Sequence, residues 1–212
     1  MKNFLLCKIF SITAAAVITG LGMGNAWGQA IKVSADKPTF DDLQSPEHTG
    51  GGRQKPFKPK NWLEIEVKLN LSPGAAAKSK VCERLTVKWY VAVKNPDKAG
   101  GMLLLTKTVE HVNIPCEEDV YCSVYLSPVS IKRLTGFDRA GKSSVEAVGY
   151  EILINDEKVA QDTTKFKAGW WSALSDKISR SETVPLLNKS ETPFSFMWWD
   201  RYAEVSTSRS SR

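Results

Sequence analysis

Two stretches of strict alternation between apolar and other residues constrain the fold of this chain more than any other feature. Residues 63–71 place an aliphatic side chain at every odd position and a charged or polar one at every even position. Residues 85–93 repeat the pattern, with Trp89 in the middle of the apolar series. A period of two puts alternate side chains on opposite faces of an extended strand. The chain is therefore expected to contain two strands, each with one buried face.

Further extended stretches surround these two strands, and one short helix interrupts them. Ser127 and Pro128 form a helix start, because serine caps a first turn and proline fits the first helical position, and Gly136 supplies a stop. The sequence therefore predicts a helix over 128–135. The remaining strands are predicted over 31–35, 102–114, 121–126, 145–154 and 158–166.

Many short strands without long helices between them are typical of an antiparallel sandwich rather than a parallel sheet. Trp89 occupies an apolar strand face, as the core tryptophan of an immunoglobulin domain does, although Cys82 is not placed to form the bridge of antibody domains. We predict an all-β fold, an immunoglobulin-like antiparallel β-sandwich with a short helix between late strands and a C-terminal extension.

The first 30 residues have the pattern of a secretory signal peptide. Lys2 and Lys8 bracket a basic region, an apolar run follows over 9–18, and the small residues Gly28 and Ala30 precede a cleavage point. The apolar run is shorter than the about 20 residues that cross a bilayer. We predict cleavage before Ile31, with cleavage after Ala26 as the alternative, and no integral membrane span afterwards. The expected location is secreted, periplasmic or in the outer envelope.

The remaining chain is long enough for one sizeable domain. The predicted division is a signal peptide over 1–30 and a first strand and flexible arm over 31–60. An immunoglobulin-like sandwich with its C-terminal extension follows over 61–205, and a disordered tail over 206–212. The aromatic run near residue 198 argues that the extension packs on the domain.

Cys82, Cys116 and Cys122 remain after cleavage, and an oxidising compartment allows one disulfide with one thiol left over. Three pairings are possible. The predicted one joins Cys116 to Cys122, because a short loop loses the least entropy on closure. Neither His48 nor His111 has the spacing of a zinc finger, so no metal site and no cofactor is predicted.

Residues 136–143 match the phosphate-loop pattern G-x₄-G-K-S. That loop functions where a strand precedes it and a helix begins at its end, whereas here a predicted helix precedes it and a predicted strand follows. The stretch is interpreted as a turn, and no nucleotide ligand is predicted. The net charge of +6 falls to +4 once Lys2 and Lys8 are removed, and it is scattered, which argues against a nucleic-acid partner.

No catalytic arrangement stands out. A serine triad could use only His48 or His111, and no G-x-S-x-G elbow is present. Paired carboxylates such as Asp41 and Asp42 could serve glycoside hydrolysis, although acidic runs in loops are usually solvated. The chain is therefore predicted not to be an enzyme, and a hydrolase is the least favoured interpretation.

Two tryptophan pairs are the candidate interaction surface. Adjacent rings point to opposite faces if they lie on strands, so one ring of each pair would be exposed. Exposed aromatic rings stack on sugars and contribute much of the energy of protein interfaces. In the alternative interpretation, the core covers one ring and the C-terminal extension the other. The predicted residues are Trp170, Trp171, Trp198 and Trp199.

Residues 192–202, TPFSFMWWDRY, together with the signal peptide and the Trp89 strand, resemble a family of secreted proteins from verrucomicrobial gut bacteria. That family is associated with a type IV pilus-like locus. The resemblance implies an immunoglobulin-like fold related to the globular part of archaeal type IV pilins, and it carries no catalytic motif. The chain departs from a pilin in losing its apolar segment, so polymerisation as a major pilin is not expected.

These observations together predict an exported, non-enzymatic interaction or structural module. It would be linked to type IV pilus-like surface assembly or host recognition, with a protein partner at the cell surface or on the host side. The alternative is a carbohydrate-binding module that uses exposed tryptophans, so a glycan partner stays open.

Overall fold

The computed structural model describes residues 31–47, 56–74, 79–140, 144–173 and 176–206. The predicted signal peptide, His48 and the predicted tail beyond Ser206 lie outside the described residues. Within these ranges, the strands in chain order are β1 Ile31–Ala35, β2 Thr39–Gln44, β3 Asn61–Pro73, β4 Val81–Lys94, β5 Met102–Pro115, β6 Asp119–Leu126, β7 Val145–Ile154, β8 Glu157–Thr163, β9 Ile178–Arg180, β10 Leu187–Asn188 and β11 Glu204–Val205.

The strands form two sheets that pack face to face, which confirms the predicted all-β sandwich. In the first sheet the order is β1-β3-β6-β10, and β2 also pairs with β3. In the second the order is β11-β5-β4-β7-β8, and β9 also pairs with β5. One pairing departs from the antiparallel prediction, because β9 runs parallel to β5 at Met102 and Ile178.

The alternating residues of β3 and β4 form the core between the sheets. Leu63, Ile65 and Leu69 of β3 are buried, as are Trp89 and Val91 of β4. The Trp89 ring lies 6.2 Å from that of Tyr150 on β7. The period of two therefore sets the inner face of each sheet, as the sequence predicts.

The predicted helix is also confirmed, as α1 Pro128–Thr135. The Ser127 side chain accepts a hydrogen bond from the Ser130 N–H at 3.2 Å, which caps the first turn. Gly136 ends the helix with a left-handed φ of 78°, a conformation that favours glycine. No helix within the described ranges is long and apolar enough to cross a membrane.

One strand lies where the sequence predicts a flexible arm. Residues Thr39–Gln44 form β2, and Phe40 pairs with Ile65 of β3. The pairing with β3 creates this strand, since the sequence TFDDLQ has no clear alternation to signal it.

The predicted Cys116–Cys122 disulfide is not formed, and Cys82, Cys116 and Cys122 are buried free thiols. The Glu117 N–H donates to the Leu71 carbonyl, which places Cys116 beside that end of β3. Cys122 pairs instead with Val67. Leu71 lies four positions beyond Val67 along β3, a distance of about 13 Å, whereas a disulfide needs Cα atoms within about 7 Å. Cys116 lies instead beside Cys82, and the Cys82 backbone forms a hydrogen bond with the Cys116 thiol. Burial raises the pKa of the Cys116 thiol.

Candidate functional site

Trp170 and Trp171 are buried, so this half of the predicted interaction surface is not exposed. They are 8% and 3% exposed and pack on the outer face of the second sheet with Ala92, Leu104 and Ala147. The Trp171 ring stacks on Tyr90 with centroids 4.7 Å apart, and the Trp170 Nε1–H donates to Thr163 Oγ1 at 3.0 Å. Both residues lie in a turn rather than on a strand, so strand alternation does not apply to them, and both rings pack on the same face of the sheet.

Trp198 and Trp199 lie in a different environment, on a segment that crosses the outer face of the first sheet. This C-terminal segment, residues 187–205, begins as β10 on β6 and ends as β11 on β5, which belongs to the second sheet. The segment therefore joins one edge of the first sheet to the edge of the second.

Phe194 is the apolar anchor of the C-terminal segment. Its side chain is 1% exposed. The ring lies 5.6 Å from Tyr125 and 5.9 Å from Trp62, centroid to centroid. Trp198 stacks on the other side of the Phe194 ring at 6.2 Å. A fully buried aromatic side chain of this size is a major source of stability for a short segment.

Polar contacts fix the rest of the C-terminal segment. Asn188 and Glu191 form a capping box around the turn Lys189–Glu191, and the Lys107 ammonium pairs with Glu191 at 2.7 Å. The buried Lys189 ammonium donates to the Met197 carbonyl at 2.6 Å.

His111 joins the end of the C-terminal segment to β5. Its side chain is buried, and Nδ1 lies 3.3 Å from the Ala203 carbonyl. Burial lowers the pKa of His111 to about 4, so the imidazole is neutral at neutral pH and Nδ1–H donates to that carbonyl. His111 is one of the two histidines that the sequence considers for a triad, and in the structure it forms a hydrogen bond with the backbone of the segment.

A buried acidic cluster lies beneath the segment, on the face of β3 that the alternation predicts to be wet. The Tyr125 hydroxyl donates to Glu64 Oε1 at 2.5 Å. The Tyr202 hydroxyl lies 2.9 Å from Glu64 Oε1 and 2.6 Å from Glu66 Oε2. Glu66 also pairs with Arg201 at 2.7 Å, and that guanidinium lies over the Tyr121 ring at 3.5 Å.

Burial favours the protonated form of Glu64. It raises the pKa of this carboxyl, and the charges of Glu66 and Asp41 raise it further, against the hydrogen bonds that the Tyr125 and Tyr202 hydroxyls donate to it. The Tyr202 hydroxyl has one hydrogen and lies within hydrogen-bond distance of both Glu64 and Glu66, so it cannot fully compensate two carboxylates. Ionising Glu64 in the folded protein therefore costs more than ionising an exposed glutamate.

Replacing Glu64 with glutamine is expected to stabilise the protein at high pH relative to the native chain. A group with a raised folded pKa contributes stability that is complete below its ordinary value, 4.5 for Glu64, and is lost as the pH rises through the folded value. Glutamine stays neutral at both values of pH, and its side-chain oxygen can still accept from Tyr125 and Tyr202. The free energy of unfolding, measured by denaturant at pH 4 and pH 8, should favour the variant only at pH 8, by about 1.4 kcal/mol for each unit of raised pKa.

The matched control for this change is Glu118→Gln, which removes an exposed carboxylate in the turn before β6. Its effect should be small at both values of pH. A Glu64→Gln variant that loses stability equally at pH 4 and pH 8 would show that the folded protein does not favour the protonated form of Glu64.

Three large aromatic side chains project from the fixed C-terminal segment into solvent. Phe196 is 88% exposed, Trp199 61% and Trp198 46%. We name Phe196, Trp198 and Trp199 the aromatic surface. Phe196 and Trp199 border a groove of about 270 Å³ whose other wall includes Ala203 and Val205 of the segment end.

Trp198 has a strained backbone. Its φ of 50° and ψ of 45° are left-handed, a region that bulky residues rarely adopt. Such a conformation costs roughly 1–2 kcal/mol. The turn thereby exposes Trp199 while the Trp198 ring stays on Phe194, and strain of this kind at an exposed aromatic is typical of functional positions.

A cavity of about 420 Å³ adjoins the aromatic surface on the β2 side. Trp198, Arg201 and Tyr202 of the segment form one wall, and Asp41 and Glu66 face them. It thus combines an aromatic ring with a guanidinium and carboxylates, the groups that hold sugars as well as charged side chains.

The remaining candidate residues do not meet at these sites. The stretch that matches the phosphate loop begins at the end of α1 and leads into β7, the reverse of the strand-to-helix order that phosphate binding uses, and residues 141–143 lie outside the described ranges. Within the described part of the chain, no three His, Cys, Asp or Glu side chains form a group that could hold a metal ion.

Sequence reasoning found Trp198 and Trp199 but missed Phe196, Glu64 and Tyr202. Glu64 and Glu66 occupy the wet positions of an amphipathic strand, and nothing local indicates that a segment more than a hundred residues away covers them. The motif TPFSFMWWDRY contains the anchor, the aromatic surface and the two residues of the segment, Arg201 and Tyr202, that contact Glu64 and Glu66. Its aromatic density is the one available signal.

Known proteins match most of this chain. A protein-family model matches residues 24–209. The crystal structure of a protein from Akkermansia muciniphila is similar, with a TM-score of 0.80 and 37% identity over 84% of this chain and 95% of that chain. No curated protein matches the sequence. The match to a protein of a verrucomicrobial gut bacterium confirms that part of the predicted resemblance.

Proposed function

This chain belongs to the same family as the matching model and the solved Akkermansia muciniphila protein, and we propose that it is an exported, non-enzymatic module. In this proposal it binds a protein partner through the aromatic surface. The partner is a component of a type IV pilus-like surface assembly or a host protein, as the sequence resemblance implies. The signal-peptide pattern of residues 1–30 supports export.

The exposure of the aromatic surface is the observation that supports this proposal. Soluble proteins rarely leave three neighbouring large aromatic side chains in water unless a partner covers them. Phe194, the Lys107–Glu191 pair and the Tyr202 contacts hold the segment in place, so little entropy is lost when a partner binds. Tryptophan is also among the residues that contribute most to protein interfaces.

The test is affinity capture with the mature chain from Ile31 as bait, against native cell envelope and growth medium, followed by binding measurements with the purified captured protein. The double variant Phe196→Ser with Trp199→Ala is expected to weaken binding by a factor of about 30 or more, because a single interface hot spot already costs about 2 kcal/mol or more. Both side chains are largely exposed, so the fold should be retained.

The matched control is Phe137→Ser, which removes an equally exposed aromatic from the far end of α1. It should bind the captured protein like the native chain. Equal affinity of all three proteins would overturn the assignment of the partner to the aromatic surface.

The second candidate is a carbohydrate-binding module, favoured by the cavity between Trp198, Asp41 and Arg201. In that case the Trp198 ring stacks on a sugar face while the charged groups bind its hydroxyls. A glycan array with the native chain, the double variant and Trp198→Ala separates the two functions. The sugar site would be favoured if Trp198→Ala abolishes glycan binding. The double variant Phe196→Ser with Trp199→Ala, which retains Trp198, should then bind glycan like the native chain.

A further inference from the structure

A second surface, at the α1 end of the sandwich, combines positive charge with exposed apolar side chains. A groove of about 660 Å³ lies between α1 and the chain that leads into β3. Its charged lining consists of Lys58, Lys60, Lys132, Arg133 and Asp138. Four cationic groups against one carboxylate leave three positive charges at this groove.

Three of these cations have no carboxylate partner among the described residues. Lys132 pairs with Asp138 at 3.1 Å, and Arg133 donates to the Thr183 carbonyl at 3.0 Å. The Lys58 and Lys60 ammonium groups form no ion pair within the described ranges and lie in solvent. A bound anion would therefore meet Lys58 and Lys60 in solvent, with Arg133 as a third cation that no carboxylate neutralises.

Apolar side chains protrude around the same groove. Val129 and Phe137 are each 72% exposed, and Phe57 is 50% exposed beside Lys58. Phe137 is held outward by the helix end, because the Gly136 N–H donates to the Lys132 carbonyl at 2.8 Å and the Phe137 N–H to Thr135 Oγ1 at 3.0 Å. The hydrogen bonds at the end of α1 thus fix the backbone from which the Phe137 side chain projects.

We propose that this basic apolar surface docks on an anionic lipid bilayer, with Lys58 and Lys60 at the phosphate groups and Phe137 and Val129 in the acyl boundary. A soluble polyanion would satisfy the lysines but leave the apolar side chains in water, whereas a bilayer interface takes both. The surface is distinct from the aromatic surface of the C-terminal segment, so the chain could hold a partner while it lies on a membrane.

The test uses the mature chain and vesicles of phosphatidylcholine with and without phosphatidylglycerol, with the bound fraction measured by sedimentation. Binding is expected only with phosphatidylglycerol and should weaken as salt is added. The double variant Lys58→Gln with Lys60→Gln should bind about 25-fold more weakly, since each basic residue near such a surface contributes about fivefold. Phe137→Ser should bind about tenfold more weakly, because the variant lacks the favourable free energy of moving a partly inserted aromatic ring out of water.

Two controls make the result specific. Phe196→Ser removes an even more exposed aromatic from the C-terminal segment and should leave vesicle binding unchanged. Dextran sulfate tests a soluble polyanion. If it is bound through Lys58 and Lys60 while Phe137→Ser has no effect on any binding, the ligand is a soluble anion and the membrane proposal is wrong. Equal binding to both vesicle types, or to neither, would also overturn it.

Discussion

Phe194→Ala is expected to release the C-terminal segment from the first sheet and to destabilise its packing by about 3–5 kcal/mol, the usual cost of removing a buried phenylalanine ring. The ring is 1% exposed and lies between Tyr125, Trp62 and Trp198. Alanine would leave a cavity that the flat sheet face cannot close. Phe194 is the one side chain of the described segment that ranks among the largest fully buried ones, so its loss removes the main apolar contact between the segment and the sheet.

Hydrogen exchange would show whether the loss is local. Amide protection should fall over residues 187–205 and persist in β4 and β5, whose long pairing forms the centre of the second sheet. Binding to the captured partner should be lost together with this protection, because the aromatic surface depends on the position of the segment. Loss of protection throughout the sandwich would show instead that the segment is part of one cooperative core.

Phe196→Ala is the matched control, since it makes the same chemical change two residues away on a side chain that is 88% exposed. Its effect on the free energy of unfolding should stay within about 0.5 kcal/mol, as for other surface substitutions. Its effect on partner binding should be large. Phe194 therefore tests what holds the segment in place, and Phe196 tests the surface that the segment presents to a partner.

The inner faces of the sandwich were predictable because they depend on a local pattern. Alternation places Leu63, Ile65 and Trp89 in the core whatever their partners are, and Ser127 and Gly136 mark the ends of α1 through local backbone chemistry. These signals need no knowledge of the rest of the chain.

The outer faces were not predictable, because what covers them comes from elsewhere in the sequence. Glu64 occupies a position that alternation assigns to solvent, yet it is 5% exposed beneath Tyr202. The disulfide prediction was wrong for a related reason: only five residues lie between Cys116 and Cys122, but the strand β6 carries the two thiols apart. Nearness in sequence predicts a bridge only where the chain turns back on itself.

The tryptophan pairs show the same limit. Adjacent rings point to opposite faces on a strand, but Trp170 and Trp171 lie in a turn and pack on one face. Trp198 and Trp199 also lie outside the strands, and there the left-handed φ of Trp198 keeps one ring on Phe194 and leaves the other in water. Exposure at each pair follows from the turn geometry, which the sequence WW does not specify.

Trp171→Ala is expected to destabilise the sandwich by about 3–5 kcal/mol without affecting partner binding, because this ring is structural. It stacks on Tyr90 at 4.7 Å with an interplanar angle of 6° and lies directly over the backbone of Gly149 on β7. Denaturant unfolding gives the loss, and binding is measured where the variant remains folded. A weakened affinity in the folded variant would return Trp171 to the interaction surface.

Gly149 supplies the partner for a double-mutant cycle that tests this packing directly. A Cβ built at Gly149 would lie 2.2 Å from Cζ3 of Trp171, far inside contact distance, so only glycine fits beneath the ring. Gly149→Ala alone should therefore cost about 1–3 kcal/mol through overpacking. Once Trp171→Ala has removed the ring, the methyl group meets open space, and the second substitution should cost much less. A coupling of about 1–3 kcal/mol would establish the contact, whereas additive losses would mean that the ring does not rest on Gly149 in solution.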